Sequence, residues 1–136
     1  LPVFPVASVP RCVAILFIID FLLILIGARY TEFIFGDVVI FDSRQPEGSK
    51  TERKLAFAIT HSTANFTEAK QNLDAIFRML GKTIELKDAE HDSFIVGRCA
   101  KVVVNNEDIG IIGEIHPSVL EKWGFEMPII AFEIRL

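Results

Sequence analysis

The feature that most limits what this chain can become is one sharply bounded amphipathic helix set among short β-rich segments. Asn65-Phe66-Thr67-Glu68 places a capping-type Asn three residues ahead of a Glu, the logic of a capping box. Leu73, Ile76, Phe77 and Leu80 then follow Ala69 at offsets of 4, 7, 8 and 11, which is one face of an α-helix. Gly81 supplies a stop. The spacing predicts a helix over 66–80 whose Leu73, Ile76, Phe77 and Leu80 cover an apolar face of a sheet.

The strands come from the remaining pattern. Phe33–Asp42 is β-branched and aromatic and predicts a strand, with Gly36 marking a bulge or a close backbone approach. Ser43–Arg53 is polar and carries Pro46 and Gly48, so it is expected as an exposed loop before a second strand at Lys54–Thr60. Lys82–Leu86 predicts a short strand and Asp88–Val96 a polar loop. Arg98–Val104 and Ile109–Ile115 predict a hairpin joined by Asn105-Asn106-Glu107-Asp108. Val102 and Val104 are expected on one face, and Ile109, Ile111 and Gly113 together on one face of their strand. Gly110 and Gly113 lie three apart in that strand and fit close packing of another backbone better than phosphate binding. His116-Pro117 opens a short helix, with His116 as its cap, and Gly124 closes it. Pro128–Leu136 predicts a closing strand. Adjacent strands with few helices indicate an α+β class: an antiparallel sheet flanked by helices.

The apolar residues are unevenly spread. Val13–Ile26 is almost wholly apolar and resembles a membrane span at first sight. A span needs roughly 20 apolar residues, and a carboxylate at its centre costs about 2.5–3.5 kcal/mol, where this run has Asp20. Pro2, Pro5 and Pro10 precede the run without a basic start, which disfavours a signal peptide. A buried or interface helix is the preferred reading; a membrane segment and a locally aberrant sequence remain the alternatives.

Several function classes lose support. The formal net charge is −4, and Lys50, Arg53 and Lys54 form the one small basic group, so nucleic-acid binding by this chain alone is not expected. His61, His91 and His116 are far apart in sequence and show no metal-ligand spacing. Glu90-His91-Asp92 reads as a solvated loop before an acid/base cluster. Cys12 and Cys99 form no CxxC, and reduced, buried thiols are their default, although a disulfide between them stays open. No GxSxG, P-loop or GxGxxG is present.

Several segments carry a resemblance. Phe94-Ile95-Val96-Gly97-Arg98-Cys99-Ala100 and Ile109-Gly110-Ile111-Ile112-Gly113-Glu114-Ile115-His116-Pro117, followed by Ala131-Phe132-Glu133, resemble the pattern near the end of phenylalanyl-tRNA synthetase β chains. Phe35-Gly36-Asp37-Val38-Val39 and Phe66-Thr67-Glu68-Ala69-Lys70 are similar to the archaeal and eukaryotic style of that chain. The resemblance covers about residues 33–136, the catalytic-like core module. Residues 1–32 depart from it: Asp20-Phe21-Leu22 and Arg11 match pieces of the family's helix, but its polar face is replaced by Ile, Leu and Phe.

The resemblance implies a class II synthetase-like fold that has lost adenylate chemistry. Active class II domains carry an Arg-x-Glu after the strand equivalent to Phe35–Ile40; here Phe41-Asp42-Ser43-Arg44-Gln45 follows. They also carry a glycine-rich segment ending in Arg, where this chain has Phe132-Glu133-Ile134-Arg135. No catalytic, cofactor or metal residue is therefore assigned. Gly36, Asp37, Gly97, Arg98, Ala100, Gly110, Gly113, Glu114, His116, Pro117, Phe132 and Glu133 are read as structural signature positions. Phe17, Phe21, Phe35, Val38 and Ile40 are the subunit-interface candidates. The implied partner is the α chain, with tRNA(Phe) met through the assembled enzyme; ATP and magnesium are implied for that enzyme and not for this chain. A cytoplasmic location away from membranes is expected, and neither editing nor anticodon reading is expected of these residues. Two rivals stand beside the scaffold reading: a stand-alone binding domain with another protein partner, and an enzyme using Glu114, His116 and Glu133.

Overall fold

The computed structural model describes residues 30–136; the apolar run 13–26, Cys12 and the interface candidates Phe17 and Phe21 lie outside the described residues. Six strands and two helices follow in the order β1 (Tyr30–Phe41), β2 (Ser49–Thr60), α1 (Phe66–Met79), β3 (Glu85–Asp88), β4 (Phe94–Val104), β5 (Glu107–Ile115), α2 (Pro117–Trp123) and β6 (Ile129–Arg135). The strands form one sheet in the order β1-β2-β6-β5-β4-β3, and all neighbours run antiparallel. This is the α+β arrangement that the sequence implied.

Period-2 alternation divides the sheet into two faces. Phe57, Val102, Ile112, Ile130, Phe132 and Ile134 share the first cluster, under α1. Phe57 and Phe132 stack across β2 and β6 at 4.7 Å between centroids. Helix α1 buries Ala69, Leu73 and Phe77 against this face. The second cluster contains Ala56, Ala58, Phe94, Cys99, Ile115, Ile129 and Ala131, with Val119, Leu120 and Trp123 of α2 packed on it. Small residues at Ala56, Ala58 and Ala131 let covering side chains approach that face closely.

The capping chemistry is as the sequence indicates. Asn65 accepts the Glu68 backbone N–H, and Lys82 N–H donates to Phe77 O past the end of α1. Pro117 opens α2, the His116 side chain accepts the Ser118 N–H, and Gly124 ends it at φ 78°. Asn105 and Asn106 both adopt positive φ, at 52° and 64°, which makes the two-residue turn whose twist suits a hairpin.

Several expectations need correction. The polar stretch 49–53 is strand, because Ser49–Arg53 pair residue by residue with Asp37–Phe41. Gly36 holds an unbroken register opposite Lys54, and nothing lies within 4 Å of where its Cβ would be, so it marks neither a bulge nor a close approach. Leu80 is the cap residue of α1 and is exposed. The third strand sits at Glu85–Asp88, later than Lys82–Leu86. Between Val102–Gly110 and Val103–Asp108 the ladder shifts by one residue, so Ile109 is extra. Ile109 therefore packs on the α1 side while Ile111 packs on the α2 side.

Candidate subunit interface and signature residues

Strand β1 ends the sheet among the described residues, and its side chains divide by alternation. Phe35, Val39 and Phe41 are 59%, 68% and 86% exposed. They share one face with Asp37, whose carboxylate accepts from Arg53 Nε at 3.0 Å; the Arg53 guanidinium also lies 5.5 Å from the Phe35 ring centroid. Val38 and Ile40 point to the other face and are half-buried beside Lys50 and Glu52. The sequence-derived set Phe35, Val38 and Ile40 thus straddles both faces. Val39 and Phe41 share the exposed face with Phe35, as a strict period-2 count from Phe35 selects.

At the opposite edge, β3 is four residues long and reads Glu-Leu-Lys-Asp. Short length and charge are the usual protection of a free edge. β1 has twelve residues and an apolar row.

The signature residues hold the two faces together. A Cβ at Gly110 would lie 2.1 Å from the Glu133 backbone oxygen, and one at Gly113 would lie 2.7 Å from the Phe94 ring. Both glycines are therefore demanded by contact, Gly113 by the aromatic ring that plugs the second cluster. Gly97 and Arg98 occupy an irregular stretch where the β4–β5 ladder skips from Phe94 to Cys99. Arg98 donates to Glu114 at 2.8 Å. Ala100 and Phe132 lie in the first cluster. Cys99 is buried, and that burial pushes its thiol pKa up.

Around Ala100, a cleft of about 450 Å³ is lined by Asn65, Thr67, Asp88, Arg98 and Glu114 among others. Its one guanidinium, Arg98, is committed to Glu114. No group of three His, Cys, Asp or Glu suited to a metal occurs among the described residues.

Comparison with known proteins adds the decisive observation. Residues 30–136 match the family described as phenylalanyl tRNA synthetase beta chain CLM domain. The chain belongs to that family. This beta-chain domain is 44% identical over 137 residues to the phenylalanine–tRNA ligase beta subunit of Thermococcus kodakarensis, covering 99% of this chain and 24% of that protein. It is 46% identical over 110 residues to the Pyrococcus horikoshii protein of that name, covering 79% and 20%, and 41% identical over 111 residues to that of Thermofilum pendens, covering 80% and 20%. The chain spans no more than about a quarter of the length of these relatives.

The beta-chain domain does not assemble the acid/base set of the enzymatic rival. Glu114 lies opposite Ile130 and shares the α1 face, whereas Glu133 lies opposite Ala56 and Ile111 on the other face. His116 spends its Nδ1 on the start of α2. His91 likewise accepts the Ser93 N–H and tilts over Phe94 at 5.5 Å, so it shapes a turn. No helix among the described residues is long and apolar enough to cross a membrane.

Proposed function

We propose that this domain is a non-catalytic, class II synthetase-like module of a phenylalanine–tRNA ligase β subunit, acting in the cytoplasm. It packs against the α chain and supports that chain's ATP-dependent charging of tRNA(Phe) with phenylalanine, within a heterotetramer. Family membership and the beta-subunit names of the relatives support a structural role in such a ligase. The observation that carries the interface reading is the exposed row Phe35, Val39 and Phe41 on a long terminal strand. Apolar surface of that kind on a sheet edge marks a contact site or an aggregation hazard.

The residues present do not fit an ATP site. Phosphate stabilisation needs cations aimed at an open space. Here Arg44 closes on Asp42 within its own turn, Arg98 on Glu114, and Arg135 on Glu107 and Glu52. ATP and magnesium are assigned to the assembled enzyme. Residues 1–32, with Phe17 and Phe21, are assigned to the same interface as a separate apolar region, and residues 33–136 form the module proper.

The test is co-expression with the α chain of the same source. The two should co-purify, and Phe35→Asp with Phe41→Asp should abolish co-purification while leaving the fold intact by circular dichroism. The domain alone should give no phenylalanine-dependent exchange between pyrophosphate and ATP; exchange above a no-enzyme control would overturn the proposal.

A further inference from the structure

We infer that a belt of alternating charges at the root of the β1–β2 arm fixes the direction in which the arm leaves the sheet, with Glu133 as its anchoring, positioning residue. Strand β2 has β6 as a neighbour only from Lys54 to Thr60. From Ser49 to Arg53 its one strand partner among the described residues is β1. Beyond that root the arm is a two-stranded ribbon, and an isolated ribbon is marginal in water. Something at the root must hold its angle.

Alternation puts Lys50, Glu52, Lys54, Glu133 and Arg135 on one face of the sheet. Lys50 Nζ lies 3.1 Å from Glu52 Oε1, and Arg135 lies 3.6 Å from the same oxygen while also pairing with Glu107. Lys54 Nζ lies 2.7 Å from Glu133 Oε1. The belt thus joins the arm, the central strand β6 and the start of β5. Its anchor is buried: the Glu133 side chain is 6% exposed, and its Oε2 has no hydrogen-bond partner. A buried carboxylate held through one oxygen tolerates little displacement of its cation, because displacement leaves the buried charge without a partner, whereas the part-exposed Lys54 can turn to water. Lys54 is the residue at which β2 parts from β6, so restraining it restrains the pivot. The Leu136 N–H adds a backbone bond of 2.9 Å to Arg53 O at the same place.

Asp37–Arg53 is an internal control. It joins β1 to β2 within the arm and on the other face, so its loss should not change the angle of the arm to the body.

Hydrogen exchange of the 136-residue chain, read by mass spectrometry, tests this. Glu133→Gln should speed exchange over 36–53 by about threefold or more, with less than about a twofold change over 98–115. Asp37→Asn, which removes an exposed pair within the arm, should speed exchange over 36–53 by less than about twofold, and exchanging the charges in Lys54→Glu with Glu133→Lys should restore part of the protection. Unchanged exchange in the arm overturns the inference, as does an equal acceleration in both regions, which would make Glu133 a general stabiliser only. If Glu133→Gln does not fold, Arg135→Gln removes a partly exposed member of the belt and carries the same selective expectation and the same overturning results. The experiment needs no partner, so its failure is distinct from failure to bind an α chain.

Discussion

Among the described residues, two long hairpins have opposite surroundings. In the β4–β5 hairpin the turn takes two residues, β3 and β6 flank it, and both helices lie over it. Val102, Val103 and Val104 are all buried there. In the β1–β2 hairpin a polar loop over 42–48 joins strands of twelve residues, β2 reaches β6 along only part of its length, and Phe35, Val39 and Phe41 face outward. The same local grammar of alternation and turn therefore yields a core element in one place and an arm with an exposed apolar row in the other. What differs is the number of neighbours, and hydrophobicity follows neighbours only where the module is complete by itself.

That contrast can be broken most forcefully at the body. Phe77→Ala, under α1, should cost about 3–5 kcal/mol and lower the urea midpoint markedly, a large share of the stability of a domain this size. A midpoint within error of the parent would mean that α1 does not close the first cluster. Gly113→Ala should come next, at about 1–3 kcal/mol, because the added Cβ would lie 2.7 Å from the buried Phe94 ring and 3.1 Å from the Arg98 backbone oxygen. Tolerance at Gly113 would show that the second cluster is loose.

The arm should respond to acid. Burial alone would raise the Glu52 carboxyl, but the Lys50 hydrogen bond and the charges of Lys50, Arg135 and Lys54 outweigh it and lower its pKa from 4.5. A lowered folded value means that the stabilisation is present above the unfolded pKa and is lost as pH falls through the folded one. The difference in arm protection between the parent and Glu52→Gln should therefore be largest near about pH 6 and should shrink below about pH 4.5. A difference that grows on acidification would reverse the sign of this argument. The smallest effect belongs to Phe41→Ser, expected to change the stability of the isolated chain by no more than about 0.5 kcal/mol, measured in the same urea series. A larger loss would place Phe41 in the core of this chain and remove it from the interface.

Much of the body was legible from its residues because its signals are local. Asn65, Gly81, Pro117 and Gly124 each satisfy a backbone demand within a few positions and stand where the sequence put them, while the expected four-residue turn 105–108 shortens to Asn105-Asn106, with Glu107 and Asp108 already in β5. Strand 49–53 was not legible, since its alternation is between two polar sets and carries no hydrophobic period. The reversal at Ile109 depends on one extra residue in the ladder, which only the pairing of Val103 with Asp108 reveals. Membership in the family was readable from the glycine and His-Pro spacing. The charge belt was not, because Glu52, Glu107, Glu133 and Arg135 are scattered in sequence and meet only once β6 lies beside β2.

The position of β6 has a consequence for how the molecule comes into being. Residues 129–135 are translated after every other strand described, yet they lie between β2 and β5 and supply the ladder that joins the two hairpins. On a growing chain, the hairpins can each form but share no strand-to-strand bond until that segment emerges. The interval before it does leaves the free edges of β2 and β5 open to mispairing, and it makes the pairing of β2 with β6 a long-range event. The Gly110 site, where the incoming Glu133 backbone must pass close to β5, is the narrow point of that insertion.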